Sequence, residues 1–193
     1  MVRTKEFDPD AALDAALQLF WERGYEATSI QDLVDYLGIG RGSLYATFGS
    51  KHELYLKALD RYLRTRDPNP IELLNRPGPA LPAVRALVRS YAEEAACDPR
   101  RCGCMIVNAA MERVPADPQV AERVQESWRT LERALAGALT RARDQGELAA
   151  DKDPTAIARF LLVVLQGLRV VGKAAPDPAR LRDAAELALS ILD

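Results

Sequence analysis

Helical periodicity runs along almost the whole of this 193-residue sequence, and no stretch shows the sustained alternation of apolar and polar residues that is typical of a strand. Helix starts are well marked, because Asp8-Pro9, Asp153-Pro154 and Asp177-Pro178 each place an N-cap residue before a proline at the first helical position. A chain of this kind buries its apolar faces helix against helix. We therefore predict an all-α protein.

The first 66 residues are predicted to hold four short helices. Apolar residues three and four apart define them, at about residues 9–24, 28–38, 41–48 and 50–66. We expect Thr28 and Gln31 to form a capping box, in which each side chain satisfies a backbone amide at the start of the second helix. Ser50 and Glu53 have the same spacing at the start of the fourth helix.

A proline-rich stretch, residues 67–79, separates these helices from the rest of the chain and holds four of its twelve prolines. Longer helices follow this stretch, and the last two begin near Pro154 and Pro178. We therefore expect two domains, which cover residues 1–66 and residues 80–193.

The last two helices carry more apolar side chains than one small bundle needs. Residues 160–165 are apolar on every face, and residues 181–192 are also rich in Leu, Ile and Ala. They can fill a thick intramolecular core, but we favour a subunit interface, because symmetric dimers pair the same surface about a two-fold axis. Six apolar residues are too few to span a membrane, and Gln166 and Arg169 interrupt the run. We expect a homodimer joined through these two helices and no membrane partner.

The charge balance and the residue types exclude several functions. With 26 Lys and Arg against 28 Asp and Glu, the net charge of −2 gives no general attraction to nucleic acid, so DNA binding would require a local surface. The single histidine, His52, leaves no cluster for a metal site or a catalytic triad. We expect no enzymatic activity, no metal and no other cofactor. Three cysteines, and an N-terminus without the apolar core of a signal peptide, favour the cytoplasm.

Residues 28–51 have the pattern of a helix-turn-helix, in which a capped helix, a turn at Gly38 and a second short helix follow one another. The second helix buries Leu44 and Phe48, four residues apart, and turns its other side chains outward. A cation, hydroxyl groups and a glycine gap suit contact with phosphates and base edges. The N-terminus of the first helix attracts a phosphate, and a lysine at the start of the following helix reaches the DNA backbone. The predicted DNA-contacting residues are Thr28, Ser29, Arg41, Gly42, Ser43, Tyr45, Thr47 and Lys51.

Three segments of this region closely resemble the DNA-binding domain of TetR-family repressors: TSIQDL (28–33), LGIGRGSLY (37–45) and FGSKHEL (48–54). The segment LFWERGY (19–25) fits the same pattern, and together these motifs cover about a third of the chain. The resemblance implies a homodimeric, all-α repressor with an N-terminal three-helix DNA-binding domain and a C-terminal domain that dimerises and binds an effector. Its two recognition helices would lie one DNA turn apart. The alternative is a helical adaptor that uses the helix-turn-helix for protein contacts.

A second informative stretch, residues 97–108, holds all three cysteines. Arg100 and Arg101 precede a predicted helix N-terminus near Gly103, and an electropositive setting of this kind favours the reactive thiolate form of a cysteine. Cys104 lies in the first turn of that helix. The Gly-Cys-x-x-x-Asn pattern around it resembles a branch of the TetR family, some members of which sense electrophiles or oxidants through this cysteine.

Three roles are open for Cys104. The first is a small buried core residue, as free cysteines usually are. The second is a sensor, for which Cys97 would be a better resolving thiol than Cys102. The third is a ligand in a metal site of three thiolates, whose spacing is not a familiar one. The effector can equally be a small molecule in an apolar pocket between the long helices, although such side chains at helical spacing are also typical of ordinary core. The candidate effector-binding residues are Tyr91, Cys104, Met105, Met111, Trp128 and Phe160.

Overall fold

The computed structural model describes residues 7–65 and 69–193, and these residues form ten α-helices and a final 3-10 turn without any strand. The predicted all-α class is confirmed. In chain order the elements are α1 (Pro9–Arg23), α2 (Ile30–Leu37), α3 (Arg41–Phe48), α4 (Lys51–Thr65), α5 (Pro70–Leu74), α6 (Ala80–Cys97), α7 (Met105–Glu112), α8 (Pro118–Asp144), α9 (Pro154–Ala174), α10 (Pro178–Leu189) and the turn Ser190–Leu192.

Three helices begin where their caps predict. Asp8, Asp153 and Asp177 are the N-caps of α1, α9 and α10, and a proline follows each of them. In all three, a carboxylate oxygen accepts the amide hydrogen of the residue two positions on, at 2.9–3.1 Å. These side chains satisfy amides that the helix itself leaves without an acceptor.

The predicted cap of α2 is wrong by one residue. Ser29, not Thr28, is the N-cap: its hydroxyl oxygen accepts the amide of Asp32 at 3.1 Å, and the Asp32 carboxylate accepts the Ser29 amide at 2.8 Å. Thr28 is fully buried, and its hydroxyl donates to the carbonyl oxygen of Gly24 at 2.7 Å. The Thr28 side chain is thus committed to the end of α1 and is not available to cap α2.

The chain divides into two compact units. Of the described residues, the first contains 7–65 and 108–123, and the second contains 69–107 and 124–193. The predicted domain of residues 80–193 therefore differs from the observed second unit, because residues 108–123 belong to the first. Inside the first unit α1 packs against α4 and α2, and α3 packs against α2 and α4. Its core contains Leu17, Phe20, Leu33, Leu44, Phe48, Leu54 and Leu59.

The core of the second unit lies where α6, α9 and α10 pack together. Buried side chains of these helices and of α8 fill it, among them Val84, Leu87, Tyr91, Leu135, Leu139, Leu161, Leu165 and Leu181. Among the described helices, α9 is long and apolar enough to cross a membrane by length and composition, a property that core helices of soluble proteins share. Its buried face belongs to this core.

A close contact between α6 and α9 gives a testable consequence. A Cβ atom at Gly172 would lie 2.6 Å from the Cβ atom and 2.8 Å from the carbonyl oxygen of Ala95. We expect Gly172→Ala to lower the free energy of unfolding by about 1–3 kcal/mol, because overpacking outweighs the better helix propensity of Ala.

Urea unfolding followed by circular dichroism measures this effect. The matched control is Gly137→Ala in α8, where a Cβ atom would meet only the end of the flexible Arg141 side chain, at 4.0 Å. The control should gain up to about 1 kcal/mol. An equal gain in both variants would contradict the assigned contact.

Candidate nucleic-acid interface and effector site

Helix α3 is held by two buried side chains and presents a polar face. Leu44 and Phe48 are 0% and 4% exposed, as their spacing predicts. Tyr45 is 43% exposed, a high value for an aromatic side chain. The outward-facing positions are Arg41, Gly42 and Tyr45, which are exposed, and Ser43 and Thr47, which are half-buried.

The turn before α3 depends on glycine. α2 ends at Gly38, whose φ of 64° lies in the left-handed region that glycine adopts without strain. Gly40 then precedes the first turn of α3 as its N-cap. The short connection between two eight-residue helices is the arrangement of a helix-turn-helix, in which the second helix reads the major groove.

The three predicted residues that flank α3, Thr28, Ser29 and Lys51, differ in how far they are buried. Thr28 is fully buried, so its side chain does not reach the surface and is removed from the predicted DNA-contacting set. Ser29 differs from Thr28 in being exposed at the start of α2, although its hydroxyl and its amide both donate to the Asp32 carboxylate, at 2.5 and 2.8 Å. Lys51 lies in the first turn of α4, with its Nζ atom 4.1 Å from the centroid of the Tyr25 ring. Partial burial there lowers the pKa of the Lys51 amine, against the opposing attraction of Glu26.

In the second unit, Cys104 contacts a buried arginine. Cys104 is 4% exposed, and Nη1 of Arg169 in α9 donates to its Sγ atom at 2.9 Å. Arg169 is itself only 8% exposed, its guanidinium carbon lies 4.0 Å from the centroid of the Tyr91 ring, and its Nη2 atom lies 3.8 Å from a carboxylate oxygen of Glu94. Tyr91 and Cys104 are thus brought together by a residue absent from the predicted set. The one sequence signal for Arg169 is a charge within an apolar helix.

The loop that leads to Cys104 is tightly organised. The Asp98 carboxylate accepts the amides of Arg100 and Gly103 at 3.1 and 2.7 Å. Arg101, with a φ of 52°, directs its guanidinium to the carbonyl oxygens of Lys173 and Ala174 at the end of α9, at 3.1 and 2.5 Å. Arginine at a helix C-terminus satisfies free carbonyls and opposes the helix dipole.

The three cysteines are free thiols in different surroundings. Cys97 is exposed, whereas Cys102 and Cys104 are buried. Within residues 7–65 and 69–193, no three His, Cys, Asp or Glu side chains gather in a way that could hold a metal ion. The three-thiolate site therefore gains no support from the part of the chain that the structure describes.

The predicted apolar pocket is not enclosed by all six of its residues. Met105 is buried and Trp128 is half-buried, with its Nε1 atom buried and without a hydrogen-bond partner. Met111 is 75% exposed and belongs to the first unit, and Phe160 is 42% exposed on α9. Both side chains lie on solvent-facing stripes of their helices, so neither lines an enclosed pocket.

Comparison with known proteins agrees with this geometry. Residues 12–58 match the family described as bacterial regulatory proteins, tetR family, and residues 80–188 match the tetracyclin repressor-like C-terminal domain. An uncharacterized HTH-type transcriptional regulator of Bacillus subtilis (strain 168), YezE, is 40% identical over 195 residues, which is 100% of both chains. The HTH-type transcriptional repressor ComR of Escherichia coli (strain K12) is 32% identical over 87% of this chain and 80% of its own.

Among solved structures, a cysteine variant of the TetR family transcriptional regulator CifR, complexed with 26-base-pair operator DNA, is similar over 97% of this chain and 98% of its own. Its TM-score is 0.84 and its sequence identity is 34%. The similarity thus spans both units and not the helix-turn-helix alone. The chain belongs to the TetR family of bacterial transcriptional regulators.

Proposed function

We propose that this protein is a homodimeric repressor that binds operator DNA and leaves it when an effector acts on the second unit. The exposed polar face of α3, fixed to the core by Leu44 and Phe48, is the observation that carries this proposal. ComR is named a repressor and CifR was solved on operator DNA, which supports the same activity here. The protein would act in the cytoplasm, where both DNA and reduced thiols are found.

The proposed base contacts come from α3. Arg41 can donate two parallel hydrogen bonds to a guanine or bind a phosphate, and the hydroxyls of Ser43, Tyr45 and Thr47 can bind base edges or the backbone. Gly42 allows a close approach of the DNA because it has no side chain. Ser29 and Lys51 flank this face at the starts of α2 and α4 and are proposed to bind phosphates.

The proposed dimer interface lies on α9 and α10, which pack against each other. Val163 and Leu187 are 72% and 75% exposed, and Phe160, Val170 and Ile191 are also exposed. Phe160, Val163 and Val170 have the spacing of one face of α9, while Leu187 lies on α10 and Ile191 in the turn that follows it. Large apolar side chains gathered on two adjacent helices favour association, and the same surface on a second copy would cover them.

The contact between Arg169 and Cys104 favours a thiol-reactive signal as the effector. The sulfur atom is the nucleophile of a cysteine, and Nη1 of Arg169 donates to this sulfur at 2.9 Å. Addition to an electron-poor alkene would form a carbon–sulfur bond, break the alkene π bond and place a proton from water on the neighbouring carbon. The larger thioether would no longer fit the place of the thiol against Arg169, and a conformation that binds DNA poorly would become favoured.

Treatment with N-ethylmaleimide tests this effector. We expect the reagent to release the wild-type protein from operator DNA, as measured by fluorescence anisotropy, because alkylation of Cys104 disturbs its contact with Arg169. Cys97→Ser, which removes an exposed thiol, should respond as wild type, whereas Cys104→Ser should stay bound. Equal release of Cys104→Ser and wild type would show that sensing at Cys104 is wrong.

The proposed repressor activity itself is tested by titrating duplex DNA that flanks its own gene. The expected result is salt-dependent binding that is at least 10³-fold tighter than to a random duplex of the same length, a typical ratio for specific binding. Equal affinity for the two duplexes would contradict the proposal and favour the helical adaptor.

A further inference from the structure

A short segment of the first unit, residues 112–123, contacts the loop before α2 and helix α4. Four of its five charged residues, Glu112, Arg113, Asp117 and Arg123, are called the brace here. Oε2 of Glu112 accepts the amide of Tyr25 at 3.0 Å, and Oε1 accepts the amide of Glu26 at 2.9 Å. One carboxylate thus holds two successive backbone amides in the loop between α1 and α2.

The loop is shaped to receive this carboxylate. Gly24 has a φ of 86°, and a Cβ atom there would lie 3.0 Å from Oε1 of Glu112. The glycine therefore provides both the backbone conformation and the space for the approach. Arg113 adds an ion pair with Glu26, and its guanidinium carbon lies 4.4 Å from the centroid of the Tyr25 ring.

The brace also holds α4. Asp117 is 4% exposed and accepts a hydrogen bond from Nε2 of His52, in the first turn of α4, at 2.8 Å. Burial raises the pKa of the Asp117 carboxyl, but hydrogen bonds from the Val120 amide, His52 and Arg113 outweigh it and hold that pKa below its usual value. Asp117 therefore accepts these hydrogen bonds as a carboxylate at neutral pH.

Farther along α4, Arg123 binds Asp60 through two parallel hydrogen bonds, at 2.9 and 3.2 Å. This is a bidentate arginine–carboxylate pair, which fixes both the position and the orientation of the two side chains. The brace thus holds α4 at its first turn and again toward its C-terminal half, as well as the loop before α2.

These contacts meet the two places where phosphate binding is proposed. The Glu112 carboxylate holds Tyr25 and Glu26, three residues before Ser29, and Asp117 holds the residue next to Lys51. Phosphate contacts set the register of a protein on the duplex, so the two ends must keep a fixed spacing relative to α3. The apolar core around Leu33 and Leu44 does not include the brace.

We propose that Glu112 and Asp117 are positioning residues for operator binding, which hold the phosphate-contacting starts of α2 and α4 in the arrangement that fits the DNA backbone. This inference rests on the proposed function, because it assumes that Ser29 and Lys51 contact phosphates. Neither carboxylate contacts DNA in this account, and each acts through the segment that it holds.

The direction in which one substitution changes the operator affinity distinguishes positioning from simple electrostatics. Removal of a carboxylate near a DNA-binding surface strengthens binding through charge alone. Positioning predicts the opposite, so we expect Glu112→Ala to weaken binding to the duplex that flanks its own gene about tenfold. The control is Glu122→Ala, which removes the same charge from an exposed position of α8 and should bind as tightly as wild type or slightly more tightly.

The salt dependence of the affinity distinguishes a lost contact from a loss of folded protein, because a smaller folded fraction does not change its slope. Each lost phosphate contact reduces the slope of log affinity against log salt by about 0.9, so one lost contact per protomer changes the slope of a dimer by about 2. Amide hydrogen exchange should become faster at Tyr25 and Glu26 in Glu112→Ala, with thermal unfolding still cooperative. Asp117→Asn should cause a similar loss through the His52 contact.

Glu112→Gln retains one acceptor oxygen and most of the side-chain volume, so it tests the inference if Glu112→Ala does not fold. An intermediate loss of affinity for Glu112→Gln supports the inference. The inference would be overturned by a folded Glu112 variant whose Tyr25 and Glu26 amides exchange faster but whose operator affinity and salt slope equal those of wild type. Failure of wild type to prefer this duplex over random DNA would instead overturn the proposed function.

Discussion

Val163→Glu and Leu187→Glu should each convert the protein to a monomer and weaken operator binding at least 100-fold. The two side chains are 72% and 75% exposed on α9 and α10, so a glutamate at either position can stay solvated within one folded chain. In a symmetric dimer this position is buried at the interface on both protomers. An unpaired carboxylate buried there costs several kcal/mol.

The loss of affinity follows from the loss of the second half-site contact. Two linked recognition helices bind about 10²–10⁴-fold more tightly than one, because the second contact forms within the same complex. Sedimentation velocity measures the mass, and fluorescence anisotropy measures the affinity for the duplex that flanks its own gene. Gln125→Glu on the exposed side of α8 adds the same charge and should remain dimeric. Dimers with wild-type affinity in both variants would show that the interface lies elsewhere.

Arg41→Ala and Tyr45→Ala should each lower operator affinity by a factor of about 10² or more, with the fold and the dimer unchanged. Both side chains point away from the core, which Leu44 and Phe48 fill, so their removal leaves no cavity. A good contact to a base edge contributes about 1–3 kcal/mol, and a dimer loses two of them.

The change in affinity for different DNA sequences shows whether each side chain contacts a base or a phosphate. Loss of a base contact relaxes specificity at one position of each half-site, whereas loss of a phosphate contact weakens binding to all sequences and reduces the salt slope. Arg64→Ala removes a positive charge near the C-terminal end of α4, distant in sequence from α3, and its effect should be small because salt screens it. Equal effects of Arg41→Ala and Arg64→Ala would contradict the placement of α3 in the groove.

Local features were predictable from the sequence where they depend on a few neighbouring residues. Asp8 before Pro9 fixes the start of α1, and the four-residue spacing of Leu44 and Phe48 fixes which face of α3 is buried. The cap of α2 was displaced by one residue because Thr28 and Ser29 are both good cap residues. Burial decides between them, since the Thr28 hydroxyl is used by the Gly24 carbonyl.

Contacts between distant parts of the chain have no such local signal. Glu112 meets the Tyr25 amide across 87 residues, and Arg169 meets Cys104 across 65. Helical periodicity identifies an apolar stripe but not the part of the molecule that covers it. Met111 and Phe160 therefore have the spacing expected of pocket residues, although both are exposed. The charge within the apolar helix α9 was visible at Arg169, but its partner depended on the packing of the second unit.

Hydroxyl-radical footprinting of the DNA that flanks its own gene tests the central claim most directly. A dimer with one α3 helix in each of two successive major grooves predicts two protected patches, related by a two-fold axis and centred about 10 base pairs apart. Arg41→Ala should lose both patches at the concentration that protects them in wild type. Uniform cleavage, or the same pattern on a random duplex, would contradict operator binding by this protein.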